Sequence, residues 1–136
     1  MPNEQTRWGA TLLRCAAASV FVVHGVTRVV LGGVADFGGF LASAGLPAGV
    51  LVAWLLTLVE IAGGLALGAG VGVRALVLWF GVELLAGIFM VHGRAGWFVV
   101  GAGRNGAEYS ALIVACLVVV ALTDSVSFKP RFGSKA

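Results

Sequence analysis

The sequence predicts an all-α, polytopic membrane protein: one four-helix bundle of transmembrane spans with both termini on the cytoplasmic side. Three observations carry this. Of 136 residues, 60% are hydrophobic and only 11% charged, and the mean hydropathy is +1.03, far above an ordinary soluble domain. The apolar residues gather into four runs, each near the ~20 residues a helix needs to cross a bilayer. The connections between them are short and rich in glycine, which leaves no room for a second domain or a large water-exposed one.

The first span is expected at about 9–33. Arg7 and Arg14 precede its core, but the apolar stretch is long and interrupted by His24 and Arg28. A cleaved leader has a short, uncharged core, so this run is read as a retained span. The connection from Gly32 to Pro47 carries Asp36 among repeated Gly and Phe, which suits a re-entrant or interfacial segment better than a solvated loop. The second span, about 48–70, is followed by a very tight turn at Gly70 to Arg74 and a third span at about 74–92. Trp97 and Phe98 in the next connection suit an anchor at headgroup depth. The fourth span, about 106–123, leaves a short basic tail over 124–136.

Lysine and arginine set the orientation, because cytoplasmic segments carry the excess. With four spans, Arg7, Arg74, Lys129, Arg131 and Lys135 share one side and Arg94 and Arg104 the other. The net charge of +3 is thereby explained by topology, with no nucleic-acid partner implied. As a multi-pass protein it is expected to be in contact with membrane lipid.

Ionisable side chains inside the apolar runs are the candidate functional residues, since each costs at least ~2.5 kcal/mol in hydrocarbon and needs a partner or a task. Residues three, four or seven apart share a helix face. Arg14, Phe21, His24 and Arg28 therefore form one stripe on the first span, and Asn105, Glu108, Leu112 and Cys116 another on the fourth. At ~1.5 Å per residue, His24 and Glu108 both lie about 22 Å from the cytoplasmic end, with Arg28, Asn105 and His92 slightly higher. The two stripes are expected to face each other. Glu60 and Glu83 fall lower, at about 12–15 Å, where Glu60 can bond His24 or Arg14.

Glu83 and His92 are nine residues apart, which puts them on opposite faces of an ideal helix. Either Glu83 meets a partner subunit or second copy, or His92 sits beyond the helix end and Glu83 is buried; the Gly93 turn favours the second. Gly64, Gly68 and Gly72 are spaced by four, which lets a neighbouring backbone approach closely, inside the bundle or from another protomer. Cys15 and Cys116, at similar estimated depths, are read as small packing residues rather than a redox pair.

The arrangement resembles the DoxX family of small four-helix bacterial membrane proteins, over about residues 14 to 125. The resemblance rests on Arg14, His24-Gly25 followed by the basic Arg28, then Phe37, Gly45 and Pro47 in the first connection. It continues through Glu60, Gly63 and Gly64, Arg74, Ala86 and His92, and Asn105, Gly106 and Glu108. Family members commonly carry lysine where Arg28 stands, and a guanidinium can hold a carboxylate through two bonds, which favours an Arg28 to Glu108 pair. Glu83 falls outside the family pattern.

The resemblance implies membrane redox chemistry: members are linked to thiosulfate to quinone oxidoreductases and to assemblies that handle oxidative stress. The expected function is therefore an integral membrane subunit of a redox-linked complex, and if an enzyme at all, the membrane part of a quinone-linked oxidoreductase. A quinone needs an apolar slot open to lipid and a few polar groups for its carbonyl oxygens. The candidate quinone contacts are His24, Arg28, Glu60, Glu108 and Asn105, with Arg14, Glu83 and His92 as a structural polar cluster. Haem on His24 and His92 is a weaker reading, and the Glu-x-x-His repeats of a di-iron site are missing, so no metal is assigned. Two alternatives stay open: a membrane anchor whose buried charges only hold its helices in register, and a homo-oligomeric proton or ion pathway built on the ladder of charged groups. Electrons would have to come from a partner, because no Cys-x-x-Cys pair or dinucleotide-binding loop is present.

Overall fold

A computed structural model describes residues 3–125. The expected basic residues Lys129, Arg131 and Lys135, and most of the tail, lie outside the described residues. Within them the chain is all-helical: α1 (Glu4–Val30), α2 (Val34–Ser43), α3 (Gly49–Ala69), α4 (Val73–Met90), a 3-10 turn (His92–Ala95) and α5 (Glu108–Thr123).

Helix α1 begins five residues before the apolar run. Asn3 stands at its N-cap, where its side chain accepts a hydrogen bond from the Thr6 amide at 2.8 Å, and Glu4 sits in the first turn, where the helix dipole favours an acid. A polar cap sets the start here, which a hydropathy reading cannot see. The first connection folds into α2, whose 10 residues span about 15 Å, too short to cross a bilayer. α2 lies along the first half of α3, with Val34, Leu41 and Ala53 forming a small core between them.

Helices α1, α3 and α4 are long and apolar enough to cross a membrane. The fourth apolar run forms α5, a shorter apolar helix of 16 residues, about 24 Å long. α1 packs along α3, and α5 closes against α4 and α1. The main core lies on one half of this arrangement, built from Ala17, Phe21, Leu67, Phe80 and Leu117 among others, with Phe21 and Phe80 stacked at 3.9 Å between centroids.

Small residues allow the α1 to α3 approach. A Cβ on Gly64 would stand 2.7 Å from Val22 Cγ2, and Gly68 faces Ala18, so the neighbour of this glycine series is α1 of the same chain. Gly72 serves differently: its φ of +63° turns the chain into α4, a conformation that suits glycine. Together with Gly70 (φ +81°) it makes the tight turn between α3 and α4.

Candidate site: an intramembrane arginine and carboxylate centre

Glu60 is the twelfth of the 21 residues of α3, about half way along a spanning helix. Every backbone group there is already used within the helix, so a carboxylate must find its partner on another element. It finds Arg28, near the end of α1. The guanidinium donates to Glu60 through Nη1 to Oε2 at 2.5 Å and Nη2 to Oε1 at 3.0 Å, a bidentate pair whose side chains are only 11% and 5% exposed.

Three more groups complete the centre. Thr57, three residues before Glu60 and so on the same face, accepts a bond from Arg28 Nη1 at 2.8 Å and donates its own hydroxyl to the Ala53 carbonyl at 2.7 Å. The Phe37 ring of α2 covers the guanidinium with 4.4 Å between Cζ and the ring centroid, a cation and aromatic face contact. From α4, the half-buried Glu83 carboxyl meets that of Glu60 and lies within electrostatic reach of Arg28. Its Oε2 is buried without a hydrogen-bond partner among the described residues.

Gly25 makes the geometry attainable. A Cβ there would lie 2.8 Å from Ile61 Cγ1 and 3.1 Å from the Thr57 carbonyl, so α1 and α3 touch beside the ion pair only because residue 25 has no side chain. Sequence reasoning missed Thr57 as a member; its three-residue spacing from Glu60 was the available signal.

The remaining expected residues are placed elsewhere. Arg28 pairs with Glu60 and not with Glu108, and Glu60 bonds neither His24 nor Arg14. The expected facing of the α1 and α5 stripes therefore does not bring Arg28, His24 and Glu108 together. α5 starts at Glu108, so its carboxyl stands at a helix end beside loop backbone that needs an acceptor, and Glu108 Oε1 takes the Val99 amide at 2.9 Å. The backbone pairs here as well, with Gly106 N to the Phe98 carbonyl and Glu108 N to the Trp97 carbonyl. Asn105 turns this loop at φ +60°, and its carbonyl meets His92 Nδ1 at 3.0 Å. Since a carbonyl only accepts, Nδ1 carries the hydrogen in that bond. His92 thus lies beyond the end of α4, in the 3-10 turn, while Glu83 points to Glu60.

His24 is exposed on the outside of α1, one turn before Arg28, and makes no hydrogen bond within the described residues. Arg14 is buried in α1, 3% exposed, and donates from Nη2 to the Gly68 carbonyl at 3.2 Å. A cation at the last turn of α3 complements the helix dipole and meets a carbonyl the helix leaves open. Both cysteines are free, with Cys15 Sγ 3.6 Å from the Gly68 carbonyl. Among the described residues no three His, Cys, Asp or Glu side chains are grouped as metal ligands.

In chemical terms, the centre offers a fixed cation, two carboxyls and an aromatic cover between helices that are long and apolar enough to cross a membrane. The DoxX family model matches residues 9–93, which include every member of the centre. The chain is also similar to CatD of Bacillus subtilis (strain 168), whose name proposes an oxidoreductase, at 27% identity over 123 residues, covering 90% of this chain and 84% of that protein. No solved structure matches the chain.

Proposed function

The chain belongs to the DoxX family, and from that membership we propose that this multi-pass protein is the membrane subunit of a redox-linked complex, binding a quinone at the Arg28 and Glu60 centre. The carrying observation is the bidentate Arg28 to Glu60 pair, with Glu60 half way along α3 and Phe37 covering the guanidinium, and with His24 exposed one turn before Arg28 on α1. A quinone reaches its site through the hydrocarbon, so it needs polar groups that lipid can lead to, and an apolar surface for its ring. His24 offers its imidazole to one carbonyl oxygen, and the Phe37 and Arg28 surface orients the ring. Full reduction of quinone to quinol takes two electrons and two protons. A soluble or membrane redox protein supplies the electrons in this reading, since the chain carries no redox motif of its own.

The protein sits in the bacterial inner membrane with four spans and both termini in the cytoplasm in this proposal. The similarity to CatD supports the redox assignment by its name alone. Glu108 and Asn105 serve the loop after α4, together with His92, and leave the quinone set.

His24 gives a clean test because removing it breaks no bond inside the bundle. Protein purified in native lipid should retain quinone in proportion to protein, by extraction and mass spectrometry, and His24→Ala should lose it while helicity and elution volume stay the same. Equal retention in the variant, or none in the parent protein, sinks the assignment. One observation favours a second reading, a membrane anchor for a partner protein: Arg28 already spends both terminal nitrogens on Glu60 and Thr57, as a helix-holding pair would. A stoichiometric partner chain without quinone is the result that reading requires.

A further inference from the structure

Glu83 has a buried oxygen, Oε2, with no hydrogen-bond partner among the described residues, yet its carboxyl faces that of Glu60. The charged groups around it can be named element by element. α1 presents Arg28, α3 presents Glu60, and α5 presents no charged side chain, since Glu108 is turned to the Val99 amide. One guanidinium therefore faces two carboxyls. The bidentate bonds commit Arg28 to Glu60, so a second carboxylate would be an uncompensated charge at hydrocarbon depth, an arrangement proteins avoid. A single proton held between the two carboxyls brings the site to neutrality and gives a role to the buried Oε2 of Glu83, which has no hydrogen-bond partner among the described residues, while Trp79 from the preceding turn of α4 also reaches this carboxyl.

We propose that Glu83 is the proton-carrying residue of this centre: the facing Glu60 and Glu83 carboxyls hold one exchangeable proton, and Glu83 passes it to a ligand seated beside Arg28. Within the proposed quinone site, the O–H bond of Glu83 breaks and an O–H bond forms on the quinone oxygen as the partner's electrons arrive. Glu83 is left as a carboxylate and then recovers a proton from water. The destination of the proton rests on the quinone reading; the proton site itself does not.

Infrared difference spectroscopy on the full chain in lipid nanodiscs tests the site directly. A protonated carboxylic acid has a carbonyl stretch distinct from that of a carboxylate, and it shifts on transfer to heavy water. The parent protein should show this band, Glu83→Gln should lose it, and Glu83→Asp should restore it at a changed frequency. Helicity and elution volume identify a variant that has failed to fold, and in that case Glu83→Asp alone decides, by moving the band or leaving it. A band unchanged in both variants, or missing from the parent protein, overturns the proposal whatever the quinone content. A band present and lost in Glu83→Gln, with no quinone retained, sinks the quinone reading and leaves the proton site standing.

Discussion

Glu60 and Glu108 are the same side chain in two settings, and they do different work. Glu60 sits in the middle of α3, where the backbone is self-satisfied, and its charge is answered by an arginine from another helix. Glu108 sits at the first residue of α5, beside a folded loop, and its charge holds a backbone amide. Position along a helix thus decides whether an acid ties two helices together or only orders a connection. The first kind of acid is coupled to the whole bundle, and the second to its own neighbourhood.

The sharpest way to break that contrast is to remove Glu60. Glu60→Leu strips Arg28 of its bidentate partner, leaves it only the nearby Glu83 carboxyl, and should cost about 3 kcal/mol, measured by unfolding in lipid or detergent. Replacing both partners, Arg28→Met with Glu60→Leu, should recover most of that loss, because no lone charge remains. A double variant as unstable as the single one would show that the pair does not act as a unit.

Gly25→Ala probes the same coupling through packing. The new Cβ meets Ile61 and the Thr57 carbonyl, so α1 and α3 must separate beside the ion pair, at about 1–3 kcal/mol, again by unfolding. A smaller and more local effect is expected from Glu108→Gln. Loss of a charge-assisted bond should cost about 1–2 kcal/mol and speed hydrogen exchange at the Val99 amide, while exchange in α3 stays as it was. Faster exchange around Glu60 in that variant would erase the distinction between the two acids. Phe37→Leu should have the least effect, about 0.5–2 kcal/mol from the lost contact with Arg28, read as a small drop in unfolding midpoint.

Much of the fold was legible along the chain, because hydropathy and helical rise are local properties. The apolar runs mark α1, α3, α4 and α5, and the apolar first connection proves to be a helix too short to span; the depth count put Glu60 and Glu83 at one level but set Arg28 well above them, and the Arg28 to Glu60 pair corrects it. The start of α1 was not legible in hydropathy, since Asn3 and Glu4 act through a hydrogen bond and a dipole. Nor was the partner of Arg28. The stripe of Arg14, His24 and Arg28 fits more than one neighbouring helix, and only the close approach at Gly25 and Gly64 brings α3 to it. His24 shows the cost of assuming a stripe points wholly inward: it is about 40° around a helix from Arg28 at ~100° per residue, enough to leave it outside.

By itself the sequence determined the class of protein and its helices, because the bilayer imposes length and polarity on each segment separately. Tertiary structure decided which of the ionisable groups meet. Pairing depends on the rotation of each helix about its axis and on how near two backbones come, and these follow from contacts between segments far apart in the chain. Arg28 meeting Glu60 rather than Glu108, and Glu83 facing that pair rather than the lipid, belong to this second kind of information.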